Sequence, residues 1–142
     1  MGVFSFVVLA EVSDAEALAH SSSPLEQFAG YGEKALDPGR WARLAALLGF
    51  DQAATSRMAN TEPLTVGGDD GPWVFEVPGD LLERVTQLDS AQTATTAQSW
   101  VTADRIMAIG GPAYACDVIT RLSEAARRAR IENKRVLVRV SL

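Results

Sequence analysis

One cysteine and one histidine occur in 142 residues, so the chain cannot close an internal disulfide, nor assemble the usual four-ligand Cys/His zinc sites. The sequence has no Gly-x-Ser-x-Gly segment for a hydroxyl nucleophile and neither of the glycine-rich phosphate-binding patterns, GxGxxG or GxxxxGK[ST]. No apolar run approaches the ~20 residues that span a bilayer. The first basic residue is Lys34, and Glu11, Asp14 and Glu16 follow the apolar opening, so that opening reads not as a signal peptide but as a strand over Val3 to Ala10. Phe6 stands where a myristoylation signal needs Ser or Thr. The unpaired Cys116 fits a reducing compartment, and the expected location is the cytoplasm.

What is present describes a folded domain. At 47% hydrophobic and 22% charged residues the chain can bury a core, about 68% of its unfolded surface at this length. We expect one α+β domain over residues 1–142, a small sheet with the N- and C-terminal strands interior and adjacent and five to six helices packed on it. Phe4, Phe6, Val8 and Ala10 alternate with Val7 and Leu9, apolar on both faces as an interior strand requires. Ser13-Asp14-Ala15-Glu16 spells a capping box for a short helix, and Ser23-Pro24 opens a second that stops at Gly30. Trp41, Leu44, Ala45 and Leu48 mark a third, ended by Gly49. Pro63 to Val66 reads as a short strand, Gly67 to Pro72 as a turn or mobile loop, and Trp73 to Val77 as a strand. Asp80 caps one helix and Ser90 the next, which passes Ala97 and Trp100 to about Arg105. A long helix after Gly110-Gly111-Pro112 leads to the closing strand Val136 to Val140.

Several constellations can be weighed for chemistry. Cys116 with His20 would make a thiolate nucleophile and its base, but Cys116 sits in an apolar helical run where a structural cysteine is ordinary. Asp69 and Asp70, beside three glycines, are too few to specify a cation site. Gly110-Gly111-Pro112 precedes a helix and reads as a turn rather than an anion cradle. Trp41, Trp73 and Trp100 each lie on an apolar face, as core residues do. No catalytic set, cofactor motif or metal-ligand cluster emerges.

Charge is the most informative surface property. The chain carries 13 basic and 18 acidic residues, a net of −5. Arg121, Arg127, Arg128, Arg130, Lys134, Arg135 and Arg139 outnumber Glu124 and Glu132 in residues 121–142, a net of +5, which leaves −10 for residues 1–120. The basic segment offers a stripe for phosphate or an acidic partner surface, but the favoured reading is that its arginines complement the negative end of the last helix and pair with the acidic remainder. With a pI near 4.8, nucleic-acid binding is disfavoured.

Taken together, Met1-Gly2-Val3-Phe4-Ser5-Phe6 leading into Val12-Ser13-Asp14-Ala15-Glu16, Leu36-Asp37 with Arg40-Trp41 and Leu47-Leu48-Gly49, Pro63-Leu64-Thr65 before Gly67-Gly68, and the closing Glu132 to Ser141 resemble the YfbM-like family of small bacterial proteins. The resemblance implies an α+β fold and no assigned activity. One departure matters: Ala42 stands where the family pattern has histidine after the tryptophan, so chemistry resting on that imidazole could not operate here.

The leading expectation is a non-enzymatic protein-binding module of immunity or antitoxin type that neutralises a cationic partner, with Asp69 and Asp70 as candidate partner-binding residues. The alternatives are a small hydrolase or transferase using acidic residues near the 67–72 loop, including Glu76, and a homo-oligomeric structural protein. No cofactor, metal or membrane is expected.

Overall fold

Alternating apolar residues make Phe4–Ala10 the first strand, β1, and Arg135–Ser141 the last, β5, and these two pair antiparallel in the register Phe4↔Ser141 to Ala10↔Arg135. The computed structural model describes residues 4–34 and 36–142; Val3, the expected strand start, lies outside them. The chain divides into two compact units, Met1–Asp37 with Thr61–Val77 and Ala125–Leu142, and Pro38–Asn60 with Pro78–Glu124.

The first unit holds a five-stranded antiparallel sheet in the order β2-β1-β5-β4-β3, with β2 at Ala29–Lys34, β3 at Thr65–Val66 and β4 at Trp73–Glu76. β1 and β5 are interior and adjacent, as the double-faced apolar pattern requires. One sheet face presents Phe6, Val8, Val74 and Leu137, and helix α1 (Ala15–His20) covers it with Ala15, Leu18 and Ala19. The other face buries Val7, Leu9, Val136, Val138 and Val140. Arg139 shares the α1 face: its guanidinium lies 6.0 Å from the Phe6 ring and donates through Nη1 to the Ser21 carbonyl at 2.7 Å. Its Nε is buried with no hydrogen-bond partner among the described residues, and burial lowers its pKa below the usual arginine value.

Here the structure corrects several expectations. The first helical turn begins at Val12, and it is the Asp14 carboxylate that accepts the Glu11 N–H, at 2.9 Å; the Ser13 hydroxyl points to Glu11 instead. Helix α2 is a single turn, Pro24–Gln27, and does not reach Gly30. The chain runs straight on into edge strand β2, which Ala-Gly-Tyr-Gly-Glu-Lys gave no reason to expect, lacking β-branched residues. Glu33 is buried there at 3% exposure, an inward-pointing charge that discourages further strands from adding to that edge.

The second unit is helical. Helix α3 (Pro38–Leu47) ends as expected before Gly49 at φ +95°, and antiparallel to it stands an unexpected helix α4 (Gln52–Ala59), capped by Asp51, whose carboxylate accepts the Ala54 N–H at 2.8 Å. Trp41 is fully buried, and its indole N–H donates to the Met58 carbonyl at 3.3 Å. Helix α5 (Gly79–Thr86) starts without the expected Asp80 cap, following Pro78. Helix α6 (Ser90–Ala103) is capped by Asp89, not Ser90: the Gln92 N–H donates to Asp89 at 2.7 Å and the Gln92 side chain accepts the Asp89 N–H at 3.0 Å. The last helix, α7 (Arg105–Glu132), begins about two turns earlier than expected and is broken at Gly111, φ +84°, before Pro112 lets it resume. Among the described residues no helix is long and apolar enough to cross a membrane.

Candidate functional site

Asp69 and Asp70 occupy the tip of the β3–β4 hairpin. The strands pair Thr65↔Val74 and Val66↔Trp73, extended by the Leu64 N–H on the Val74 carbonyl at 2.7 Å. Beyond the last pair, the Gly67 N–H donates to the Pro72 carbonyl at 2.7 Å and the Gly71 N–H to the Gly68 carbonyl at 3.1 Å, which closes a four-residue turn with the two aspartates at its central positions. Gly71 adopts φ +88° and lies against the Trp73 ring, where a Cβ would stand 2.5 Å from a ring carbon; glycine is required on both counts. Gly67 packs against Pro72 and the Ala19 carbonyl, seating the hairpin base on α1.

The closed turn therefore presents two exposed carboxylates side by side from an ordered backbone. Neither has a hydrogen-bond or ion-pair partner among the described residues. Leu64 and Val66, exposed at 39% and 43%, lie along the same hairpin and add apolar area. Sequence reading singled out the aspartates but missed these two flanking residues, whose exposure a two-residue strand does not reveal.

Glu76 belongs elsewhere. It lies three residues beyond Trp73 on β4, about 10 Å along the strand, and its carboxylate pairs with Arg135 Nη1 at 3.0 Å. The structure does not gather Asp69, Asp70 and Glu76 into one cleft. Among the described residues no group of three or more His, Cys, Asp or Glu side chains could hold a metal ion.

The remaining candidates are dispersed. In the first unit His20 ends α1 with its side chain 57% exposed and its Nε2 3.5 Å from Glu16. Cys116 is half-buried on α7 in the second unit as a free thiol. Trp41 and Trp100 are core residues at 0% exposure, whereas Trp73 is half-buried beside the hairpin turn. In the basic closing segment Arg128 pairs with Glu132, Lys134 lies 3.8 Å from the same glutamate, and Arg135 holds Glu76, so much of its charge is answered by neighbours.

One partly enclosed polar cluster was not visible in the sequence. Asp104, 1% exposed, follows α6 and accepts the Ile106 N–H at 2.9 Å, while Arg43 Nη1 at 3.2 Å and Arg40 Nε at 3.8 Å face its other oxygen. The two arginines reach it from α3, 61 residues away in the case of Arg43, and no local motif encodes that meeting. The cluster fixes α3 to the α6–α7 junction within the second unit.

No protein-family model matches this chain, and no curated protein or solved structure does.

Proposed function

We propose that the protein is a non-enzymatic binding module of immunity or antitoxin type, acting in a reducing cytoplasm, and that the β3–β4 hairpin is the element with which it engages a basic partner protein. Kinship with the YfbM-like family is part of the same proposal and rests on the short motifs named above. The observation that carries it is the pair Asp69 and Asp70: adjacent, exposed, without counter-ions, and held on a turn closed by two backbone hydrogen bonds. The backbone beneath both carboxylates is already ordered by the turn, so binding has only two short side chains left to order. The acidic excess of residues 1–120 would speed encounter with a cationic surface, and Leu64 and Val66 supply apolar contact once the surfaces meet.

Affinity capture from the cells that make the protein, read by mass spectrometry, tests this reading. Wild-type protein should retain a defined basic protein that the Asp69→Asn/Asp70→Asn variant does not. Recovery of only further copies of the chain, or a retained set indifferent to the substitutions, would contradict it.

A further inference from the structure

In the second unit the C-terminal ends of α3 and α5 and the first turns of α6 enclose an open groove of about 290 Å³. Leu47, Leu48 and Leu88 give it an apolar floor, and Gln92, Thr95 and Thr96 line its side. Arg84 is the one charged residue among those lining it, half-buried, and its guanidinium has no polar partner among the described residues. Arg57, Arg105 and Arg130 likewise have none, but they are exposed, whereas Arg84 is half-buried beside the leucines. Asp89, between Leu88 and the start of α6, is already held at the helix cap by the Gln92 N–H. That same cap engages the Gln92 side-chain oxygen and leaves its amide N–H groups available, and the Thr96 hydroxyl has no partner. The groove thus combines three leucines with three donors, one of them cationic, and no acidic side chain lines it.

A guanidinium at an apolar surface gains from a carboxylate that is itself brought out of water, and the leucines gain from hydrocarbon. We propose that this groove binds a free aliphatic carboxylate, its head group on Arg84 with Gln92 and Thr96 donating to the same oxygens, its chain along Leu47, Leu48 and Leu88. The volume, at the lower end for small-molecule sites, suits a chain of about eight carbons. This site is independent of the hairpin and uses the opposite charge.

Titration of the ¹⁵N-labelled protein with sodium octanoate, followed by amide chemical shifts, tests it. Saturable shifts at Leu47, Leu48, Leu88 and Gln92 are expected with a dissociation constant of about 1 mM or tighter. Octylammonium, with the same chain and opposite charge, should bind at least about tenfold more weakly, as should octanoate to Arg84→Gln, while Arg84→Lys should retain most of the affinity. The unperturbed amide spectra of both variants would establish that they fold. Absence of saturation by about 10 mM octanoate, equal affinity for the two amphiphiles, wild-type affinity in Arg84→Gln, or equal weakness of the Lys and Gln variants would each overturn the proposal.

Discussion

Removing the Asp104 carboxylate should destabilise the second unit in graded steps that separate its two roles. As a cap it satisfies the Ile106 N–H at 2.9 Å, a role whose loss costs about 1 kcal/mol. As a buried anion it faces Arg40, whose side chain is only 15% exposed, and Arg43, which is 56% exposed. The Arg43 share is screened by solvent and is worth less than about 1 kcal/mol, whereas taking the anion away from the enclosed Arg40 costs roughly 1–2 kcal/mol. Asp104→Ala should therefore lose about 3 kcal/mol in all. Asp104→Asn keeps an oxygen for the cap and should lose about half as much, and Arg43→Ala less than about 1 kcal/mol. Urea unfolding followed by far-UV circular dichroism, with the slope unchanged, reads these differences directly. An Asn variant as unstable as the Ala variant would show that the cap contributes nothing. A loss below about 1 kcal/mol in Asp104→Ala would refute the idea that this cluster fixes α3 to the α6–α7 junction.

Substitutions at three further positions probe other parts of the fold. Gly71→Ala forces a side chain into φ +88° against the Trp73 ring and should cost about 2 kcal/mol in thermal unfolding, with loss of partner capture, because the aspartates move with the turn. Arg139→Met should change stability by less than about 1 kcal/mol, since it removes a buried Nε without a partner along with the bond to Ser21, whereas Arg139→Ala should cost more than about 2 kcal/mol by leaving space beside Phe6; chemical denaturation distinguishes the two. Trp41→Phe removes the hydrogen bond to the Met58 carbonyl in a fully enclosed site and should lower stability by about 1–3 kcal/mol on the same assay, with the fold retained in circular dichroism.

The parts of the fold legible in the sequence are those encoded locally. Alternation identified β1 and β5, the Trp41-Leu44-Ala45-Leu48 spacing identified α3, and the glycine-rich run Gly67 to Pro72 placed the hairpin turn and its two aspartates. Edge strand β2 was hidden because its order comes from pairing with β1, register Leu9↔Ala29 to Phe4↔Lys34, and not from its own residues. Caps were misplaced by one or two positions where a serine and an aspartate stand side by side, as at Asp89-Ser90, since either can accept a first-turn N–H and only the backbone angle decides which does. The Asp104 cluster and the Arg84 groove each join helices distant in sequence, so neither had a local signature to find.

The central claim is that Asp69 and Asp70 on a fixed hairpin recognise a basic partner. Its most direct measurement is the affinity of the captured partner for wild-type protein and for Asp69→Asn/Asp70→Asn, at low and at physiological salt. The account predicts at least about a tenfold loss in the double variant at low salt, a wild-type association rate that falls as salt rises, and a double variant much less sensitive to salt. Equal affinities for the two proteins, with the same salt dependence, would contradict it.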